Sequence, residues 1–383
     1  MAAKSFFLAG GGTGGHIYPG IAVAQRIVEL APAARVHFFC SSREIDSRVL
    51  GESGFAYTCL PAEGLSYRPG RLVRFCRSFA ESYKIAKAVL AEADQPVVMG
   101  VGGFVAGPVC LAGHRLGASV TVLNVDVLPG RANRLAARWA DEIFTQFEDS
   151  REYFARFKAK LSVVGCPLRR AFDDPRPERA IGRLGLDRDK KVLVVTGASS
   201  GAARINEAVC LLVGRLAEFA EQWQIVHLAG PTHLEQVKGR YEGAKIGHKV
   251  LGYWDDMADL LAAADLVIGR SGAVSVAEYA AAGVPSICMP YPHHRDRHQY
   301  LNAAKLVEAG AAVIVDDLPD ANERAEWLWE ELEQLITDQK RREEMARNCA
   351  ALSESAAARR IAERLIEGAG RKNKGHDESH TNR

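Results

Sequence analysis

The sequence has 383 residues, 48% hydrophobic and 25% charged. That is long enough for two domains of the usual ~100 to 200 residues and apolar enough for real cores, which excludes a disordered chain, a collagen or a small disulfide scaffold. Its 49 Lys and Arg against 47 Asp and Glu leave a formal charge of +2, no global field for wrapping nucleic acid, so no nucleic-acid partner is expected and electrostatic partners must be sought in local patches.

The segment from Met1 to Gly10 carries one Lys and an apolar run too short for a signal peptide, so it is read as a first strand. Short apolar runs of strand type then alternate with helix-like stretches: 5–9, 36–40, 97–99, 120–123, 143–147 and 161–164. Parallel βαβ units follow from this alternation. The polar run 169–191, rich in Arg, Asp and Pro, reads as an interdomain linker. Strand-type runs restart at 192–196, 225–228, 249–253, 266–268, 286–289 and 312–315. The expectation is an α/β protein of two Rossmann-like, doubly wound parallel-sheet domains, 1–168 and 192–339. Ligands would bind at the carboxyl ends of their strands, in a cleft that the two domains face. The last helix, about residues 340–368, is expected to pack back on the first domain. Residues 370–383 hold nothing that could anchor a core and read as a disordered tail. The longest uncharged stretch, 97–113, contains five Gly and Pro108 and falls short of the ~18 apolar residues that span a bilayer, so no transmembrane helix is expected. Eight cysteines (Cys40, Cys59, Cys76, Cys110, Cys166, Cys210, Cys288 and Cys349) contain no C-x-x-C pair. They suggest neither a zinc nor a disulfide framework, and a reducing, cytoplasmic setting.

The chemistry-bearing motifs lie where strands end. Gly10, Gly12 and Gly15, followed by His16, satisfy the G-x-G-x-x-G spacing of a dinucleotide site. Such a site also needs an acid near the end of the second strand to hold a ribose, and that strand ends Phe39-Cys40-Ser41-Ser42. A nucleotide-hydrolysing P-loop needs Gly-Lys-Ser/Thr where Gly15-His16-Ile17 stands. What survives is a glycine loop that brings a phosphate to backbone N–H groups at a helix start, or a turn required only for packing. Three further loops of this kind follow strands: 100–104, 197–202 and 270–278. In the last, Ser271 and Gly272 open a helix, and Glu278 is placed either to accept hydrogen bonds from a ribose diol or to act as a surface charge.

His294 and His298 flank Asp296 after the strand ending at Met289. This spacing raises zinc, but the prolines put His293 and His294 in a loop and no fourth ligand is evident, so polar groups for a sugar fit better. The D-x-D of a metal-dependent glycosyltransferase occurs only at Asp187-Arg188-Asp189, inside the polar run. Finally, Arg68, Arg71, Arg74, Arg77, Lys84 and Lys87 surround an arc of Leu72, Phe75, Cys76, Phe79 and Tyr83. That helix docks its apolar face on its own sheet, or rests on an anionic membrane surface.

Taken together, GGTGGHIYPGIAVA (11–24), GVGGFVAGP (100–108), PGRANRLAARWAD (129–141), GCPLR (165–169), TGASSGAARIN (196–206), GYWDDMADLLAAADLVIGRSGAVSVAE (252–278) and PYPHHRDRHQYLNA (290–303) resemble the MurG family of N-acetylglucosaminyltransferases over roughly residues 4–366. The resemblance implies a GT-B fold and an inverting transfer of N-acetylglucosamine from UDP-GlcNAc to the MurNAc 4-hydroxyl of lipid I, forming lipid II for the cell wall. It implies neither cofactor nor metal. On the donor side it implies diphosphate contacts from Ser199 and the helix start Ala273, Val274, Ser275, Val276, Ala277 and Glu278, with Glu278 on the ribose. It further implies that Trp254 meets the uracil through its backbone, Arg169 the nucleotide, and His298 and Gln299 the sugar hydroxyls. On the acceptor side it implies Thr13, Gly14 and Gly15 on the lipid diphosphate. The stretch Arg68–Tyr83 would lie against the cytoplasmic face of the inner membrane. His16 is the candidate general base, since an imidazole suits proton transfer at neutral pH.

Three positions depart from the family's usual residues: Asp126 replaces an Asn, Phe104 a Tyr and Cys166 an Asn. Asp126 is therefore a second candidate base, a role Asn cannot fill. These departures keep open a transferase of the same superfamily acting on a different lipid. A UDP-sugar 2-epimerase and a non-catalytic membrane scaffold are the readings from other classes. Intact Ser199, Glu278 and Gln299 argue against the scaffold.

Overall fold

The computed structural model describes residues 4–12, 14–65, 69–197 and 201–371, in two compact units. The described residues of Met1–Arg169 and Ala356–Arg383 form one, and those of Arg170–Ser355 the other.

In the first unit the order is β1 (Ser5–Ala9), α1 (Gly14–Leu30), β2 (Arg35–Ser41), α2 (Glu44–Ser53), β3 (Ala56–Leu60), α3 (Pro69–Ala91), β4 (Val97–Gly100), α4 (Ala106–Arg115), β5 (Ser119–Asn124), α5 (Arg131–Ala136), β6 (Glu142–Thr145), α6 (Ser150–Tyr153) and β7 (Leu161–Val163). The second runs α7 (Pro177–Leu184), β8 (Lys191–Thr196), α8 (Ala203–Leu216), β9 (Trp223–Leu228), α9 (Leu234–Tyr241), β10 (Gly247–Leu251), α10 (Met257–Ala262), β11 (Leu266–Gly269), α11 (Ala273–Ala282), β12 (Ser286–Cys288), α12 (His298–Glu308), β13 (Ala312–Ile314), α13 (Ala321–Thr337) and α14 (Gln339–Ala351). The stretch 340–368, expected as one returning helix, is two: α14 stays with the second unit, and only the last helix, α15 (Ala357–Arg371), returns to the first unit, where it packs along α1.

Both sheets are wholly parallel, in the orders β3-β2-β1-β4-β5-β6-β7 and β10-β9-β8-β11-β12-β13. Their central strands read as continuous buried runs, such as Phe6-Phe7-Leu8-Ala9 and Val192-Leu193-Val194-Val195. This is what a sheet covered on both faces demands. Strand order reverses between β1 and β4 in one sheet and between β8 and β11 in the other. At such switch points the loops leaving the carboxyl ends diverge and open a crevice for ligands. All four glycine-type loops leave these four strands.

The structure changes several sequence expectations. The polar run 169–191 contains α7, whose Ala180 and Leu184 are buried in the second unit. Pro177 opens this helix and Gly185, at φ +58°, closes it, the usual asymmetry of Pro at a helix start and Gly past its end. Strand β3 has no counterpart in the apolar runs because it is an edge strand with three of its five residues exposed. Strand β10 sits two residues ahead of the run 249–253. Helix α15 reaches Arg371, so the start of the segment read as a tail is helical, and the rest of it lies outside the described residues. Among the described residues no helix is long and apolar enough to cross a membrane.

Candidate functional site

In the first unit the loop after β1 lies against the loop after β4, backbone to backbone. A Cβ on Gly103, where φ is +73°, would lie 2.1 Å from the Gly11 carbonyl oxygen. Only glycine satisfies both the angle and the approach. Gly14 and Gly15 begin α1, whose first turn carries no acidic residue. His16 follows, and its ring lies over Gly102, where an added Cβ would sit 2.5 Å from the imidazole Cδ2. Asp126 leaves the end of β5, the neighbour of β4, and is half-buried. Its carbonyl oxygen accepts from Asn124 Nδ2 at 2.7 Å and from Ser150 Oγ at 3.3 Å. The sheet thus brings Gly14, Gly15, His16 and Asp126 to one edge. Phe104 is 47% exposed and its ring faces Gly64. Cys166 is buried, and Arg169 stacks over the Tyr18 ring at 4.5 Å. Thr13 lies outside the described residues.

A carboxylate absent from the sequence motifs holds this loop. Asp46, in the first turn of α2, is fully buried. Its Oδ2 accepts from Gly12 N at 2.8 Å, Ser41 N at 3.1 Å and Ser41 Oγ at 2.5 Å. Hydrogen bonds to a charged group contribute about 1.5 to 3 kcal/mol each. An acid near the second strand does exist, but its oxygen is taken by the loop's own donors rather than left for a ribose. Arg43 Nη1 donates to the Gly12 carbonyl at 2.6 Å from the exposed side.

In the second unit, β11 delivers Arg270-Ser271-Gly272 to the start of α11. Gly272 precedes the helix in an extended conformation and no side chain caps it, so the first N–H groups have no acceptor in the helix. Ala273, Val274 and Val276 face the core, while Ser275, Ala277 and Glu278 are half-buried. Behind the loop, Arg270 is buried and its Nη1 donates to the Met289 carbonyl at 2.8 Å. Its Nη2 lies 2.8 Å from Asp317 Oδ2. Burial lowers the Arg270 pKa, with Asp317 pulling it back. Arg204, at the start of α8, reaches the other Asp317 oxygen at 3.5 Å. One buried carboxylate beyond β13 therefore ties the start of α8 to the loop leaving β11.

The loop after β8 is held by close approach as well. A Cβ on Gly201, at φ +74°, would lie 2.4 Å from the Ala229 carbonyl oxygen. Asn206 Nδ2 donates to that same oxygen at 2.8 Å, which leaves its Oδ1 as an acceptor, 3.0 Å from His227 Nε2. The Tyr241 hydroxyl lies 3.1 Å from Nδ1. The chain of donors is consistent with a neutral ring protonated on Nε2. Burial pushes the His227 pKa down from 6.5 to about 3. Because the folded value is depressed, the neutral ring's contribution is complete above pH ~6.5 and is lost as pH falls toward ~3. Denaturant titrations at pH 7 and pH 4 should differ by a few kcal/mol, and by clearly less in His227→Gln. An equal difference in both proteins would remove His227 as the cause.

Trp254 stacks under Arg183 at 4.4 Å and its indole N–H donates to the Asp256 carbonyl at 3.2 Å. Its ring is thus engaged within the unit. Gln299 Oε1 accepts from Tyr291 N at 2.9 Å. His298 opens α12, its Nδ1 2.7 Å from Asp296 and its ring stacked on His294 at 4.3 Å. Partial burial pushes the Asp296 carboxyl up, but its bonds to His298 hold it net below the usual carboxylate range. Among the described residues no group of three His, Cys, Asp or Glu side chains is set to hold a metal ion. Ser199 lies outside the described residues. The sheet edge gathers 273–278, His298 and Gln299; the sequence motifs gave no role to Asp46, Arg43, Asp317 or His227, which act through contacts between distant segments.

Comparison with known proteins adds the lineage. The glycosyltransferase family 28 N-terminal domain matches residues 6–145 and the family 28 C-terminal domain residues 192–365. A protein of Alkaliphilus metalliredigens is 33% identical over 367 residues, covering 94% of this chain and 98% of its own. One of Paenarthrobacter aurescens is 35% identical over 372 residues, covering 95% and 96%. Both are named UDP-N-acetylglucosamine--N-acetylmuramyl-(pentapeptide) pyrophosphoryl-undecaprenol N-acetylglucosamine transferase. Among solved structures, Acinetobacter baumannii MurG superposes with a TM-score of 0.72 at 24% identity, covering 95% of this chain and 99% of that one. A Neisseria meningitidis UDP-GlcNAc 2-epimerase bound to UDP-GlcNAc reaches 0.67 at 15%, covering 95% and 100%. These structural likenesses carry the fold, and the sequence relatives carry the branch.

Proposed function

The chain belongs to glycosyltransferase family 28, and on that premise we propose that it performs the reaction its relatives are named for. It is a UDP-GlcNAc-dependent transferase of the GT-B fold that moves N-acetylglucosamine onto undecaprenyl-pyrophosphoryl MurNAc-pentapeptide, lipid I, giving lipid II for peptidoglycan. The observation that carries this reading is the agreement with relatives named for one reaction over 94% of the chain.

The MurNAc 4-hydroxyl attacks the anomeric carbon from the face opposite UDP. The new C–O bond forms as the bond to the β-phosphate oxygen breaks, so configuration inverts. His16 takes the hydroxyl proton, with Asp126 as the alternative base. The departing diphosphate gains charge, and the uncapped start of α11 offers it N–H donors and a positive dipole end. Arg169 and Ser199 add to that stabilisation, which stands in place of a metal ion. Glu278 accepts from the ribose hydroxyls, the Trp254 backbone borders the uracil, and His298 with Gln299 reads the sugar. Thr13, Gly14 and Gly15 bind the acceptor's diphosphate at the start of α1.

Association with the cytoplasmic face of the inner membrane belongs to α3. Its later half packs on α4, with the Phe79 ring against Gly107 and Ser78, Ser82 and Ala86 buried, whereas Leu72 and Val73 are 39% and 69% exposed beside exposed Arg71, Arg74 and Arg77. Arg68 lies outside the described residues. Each cation near an anionic surface is worth roughly 1 kcal/mol, so replacing these three arginines by Gln should weaken binding to anionic vesicles about a hundredfold. Unchanged vesicle sedimentation would remove α3 from this role.

The departures at Asp126 and Phe104, both on the acceptor side, favour one second reading, transfer to another lipid. Parallel assays with UDP-GlcNAc and either a lipid I analogue or diacylglycerol separate the two. The proposal expects product only with lipid I, and a product on diacylglycerol alone would overturn it.

A further inference from the structure

The acceptor loop as assigned so far, residues 10–15, offers a diphosphate a helix start and contains no Lys or Arg, which leaves open what charge meets the anion. Two residues outside every motif bear on this. Asp46 is fully buried, and by accepting from Gly12 N, Ser41 N and Ser41 Oγ it pins the glycine loop to the end of β2. Arg43, three residues earlier, is exposed, and its Nη1 is fixed on the Gly12 carbonyl at 2.6 Å. Its backbone is held too, its N–H 3.4 Å from Ser41 Oγ and its carbonyl accepting from Asp46 N at 3.0 Å. Among the described residues the guanidinium takes no other side-chain partner. It is a planar fork with five donors, anchored at the loop by one of them and facing solvent with the rest.

We propose that Arg43 is a contact for the acceptor's diphosphate, held at the glycine loop by Asp46, which is its positioning residue. This rests on the assignment of the first unit to the acceptor. The chemistry is that of a cation supplied to a loop that otherwise has none: N–H groups orient the phosphate oxygens, and the guanidinium binds them through charge-assisted, paired hydrogen bonds. Asp46 also answers for the loop's shape, because without its carboxylate the Gly12 N–H and Ser41 N–H lose their common acceptor.

The test uses the full chain with short-chain lipid I analogue and UDP-GlcNAc, each varied at saturating levels of the other, for Arg43→Ala, Arg43→Lys, Asp46→Asn and, as a control on the exposed face of α2, Arg48→Ala. Arg43→Ala should raise KM for the lipid I analogue tenfold or more and leave KM for UDP-GlcNAc within twofold. Arg43→Lys, which keeps the charge and loses the fork, should recover part of that loss. The acceptor KM of the unaltered protein should also rise more steeply with salt than that of Arg43→Ala. Asp46→Asn should raise acceptor KM in the same direction, with Arg48→Ala unchanged throughout. An acceptor KM unchanged in Arg43→Ala at an unchanged melting temperature overturns the proposal. A raised donor KM with an unchanged acceptor KM would place the fault in the assignment of the acceptor to this unit.

Discussion

His16→Ala should lower kcat by about a hundredfold or more, the loss expected when a positioned general base is removed, with KM for UDP-GlcNAc held within twofold. The expectation comes from placement. His16 stands in the first turn of α1 at the switch point of its sheet, with its ring packed over Gly102, where φ is +140° and no Cβ fits. The imidazole is thereby held beside the loop assigned to the acceptor. Asp126, past the end of β5 and two strands over from β1, is the competing base, and Asp126→Asn decides between them because the amide keeps the shape and cannot take a proton. If His16 is the base, Asp126→Asn should cost less than about tenfold. The reverse order of losses, with His16→Ala near full rate, transfers the role to Asp126 and gives this departure from the family a chemical meaning.

Gly103→Ala should be the most damaging change outside the reacting groups. Its Cβ would sit 2.1 Å from the Gly11 oxygen, at a residue with φ +73°. The positive φ alone costs on the order of 1 to 3 kcal/mol for a non-glycine residue. The steric overlap falls on backbone, so relief requires the first glycine loop itself to shift. Acceptor kcat/KM is expected to fall at least a hundredfold, with a lowered melting temperature. UDP affinity by calorimetry should be unchanged, since the loops assigned to the donor belong to the other unit. Full transfer activity in Gly103→Ala would contradict the loop-on-loop contact.

The legible part of this fold is the part written locally. The runs Ser5–Ala9, Val192–Thr196 and Leu266–Ile268 announce buried parallel strands, and the glycines that follow mark the close approaches the structure contains. Edge strand β3 was not legible because a strand with one wet face shows too few apolar residues to stand out. Helix α7 was masked by its charges, although Pro177 and Gly185 carried the correct punctuation. The residues with chemical character at or just past the strand ends, His16, Asp126, Glu278 and Gln299, could be named from motifs. Their supports could not: Asp46 reaches Gly12 across 34 positions and Asp317 gathers Arg204 across 113, pairings that exist only once the sheets have formed.

The central claim is most directly tested by mixing the full chain, in detergent and EDTA, with UDP-GlcNAc and a short-chain lipid I analogue while following UDP release and product mass together. The account predicts one UDP released for each lipid that gains a single N-acetylhexosamine, at a rate unaffected by the chelator. UDP release without that product, or turnover that appears only when a divalent cation is restored, would contradict it.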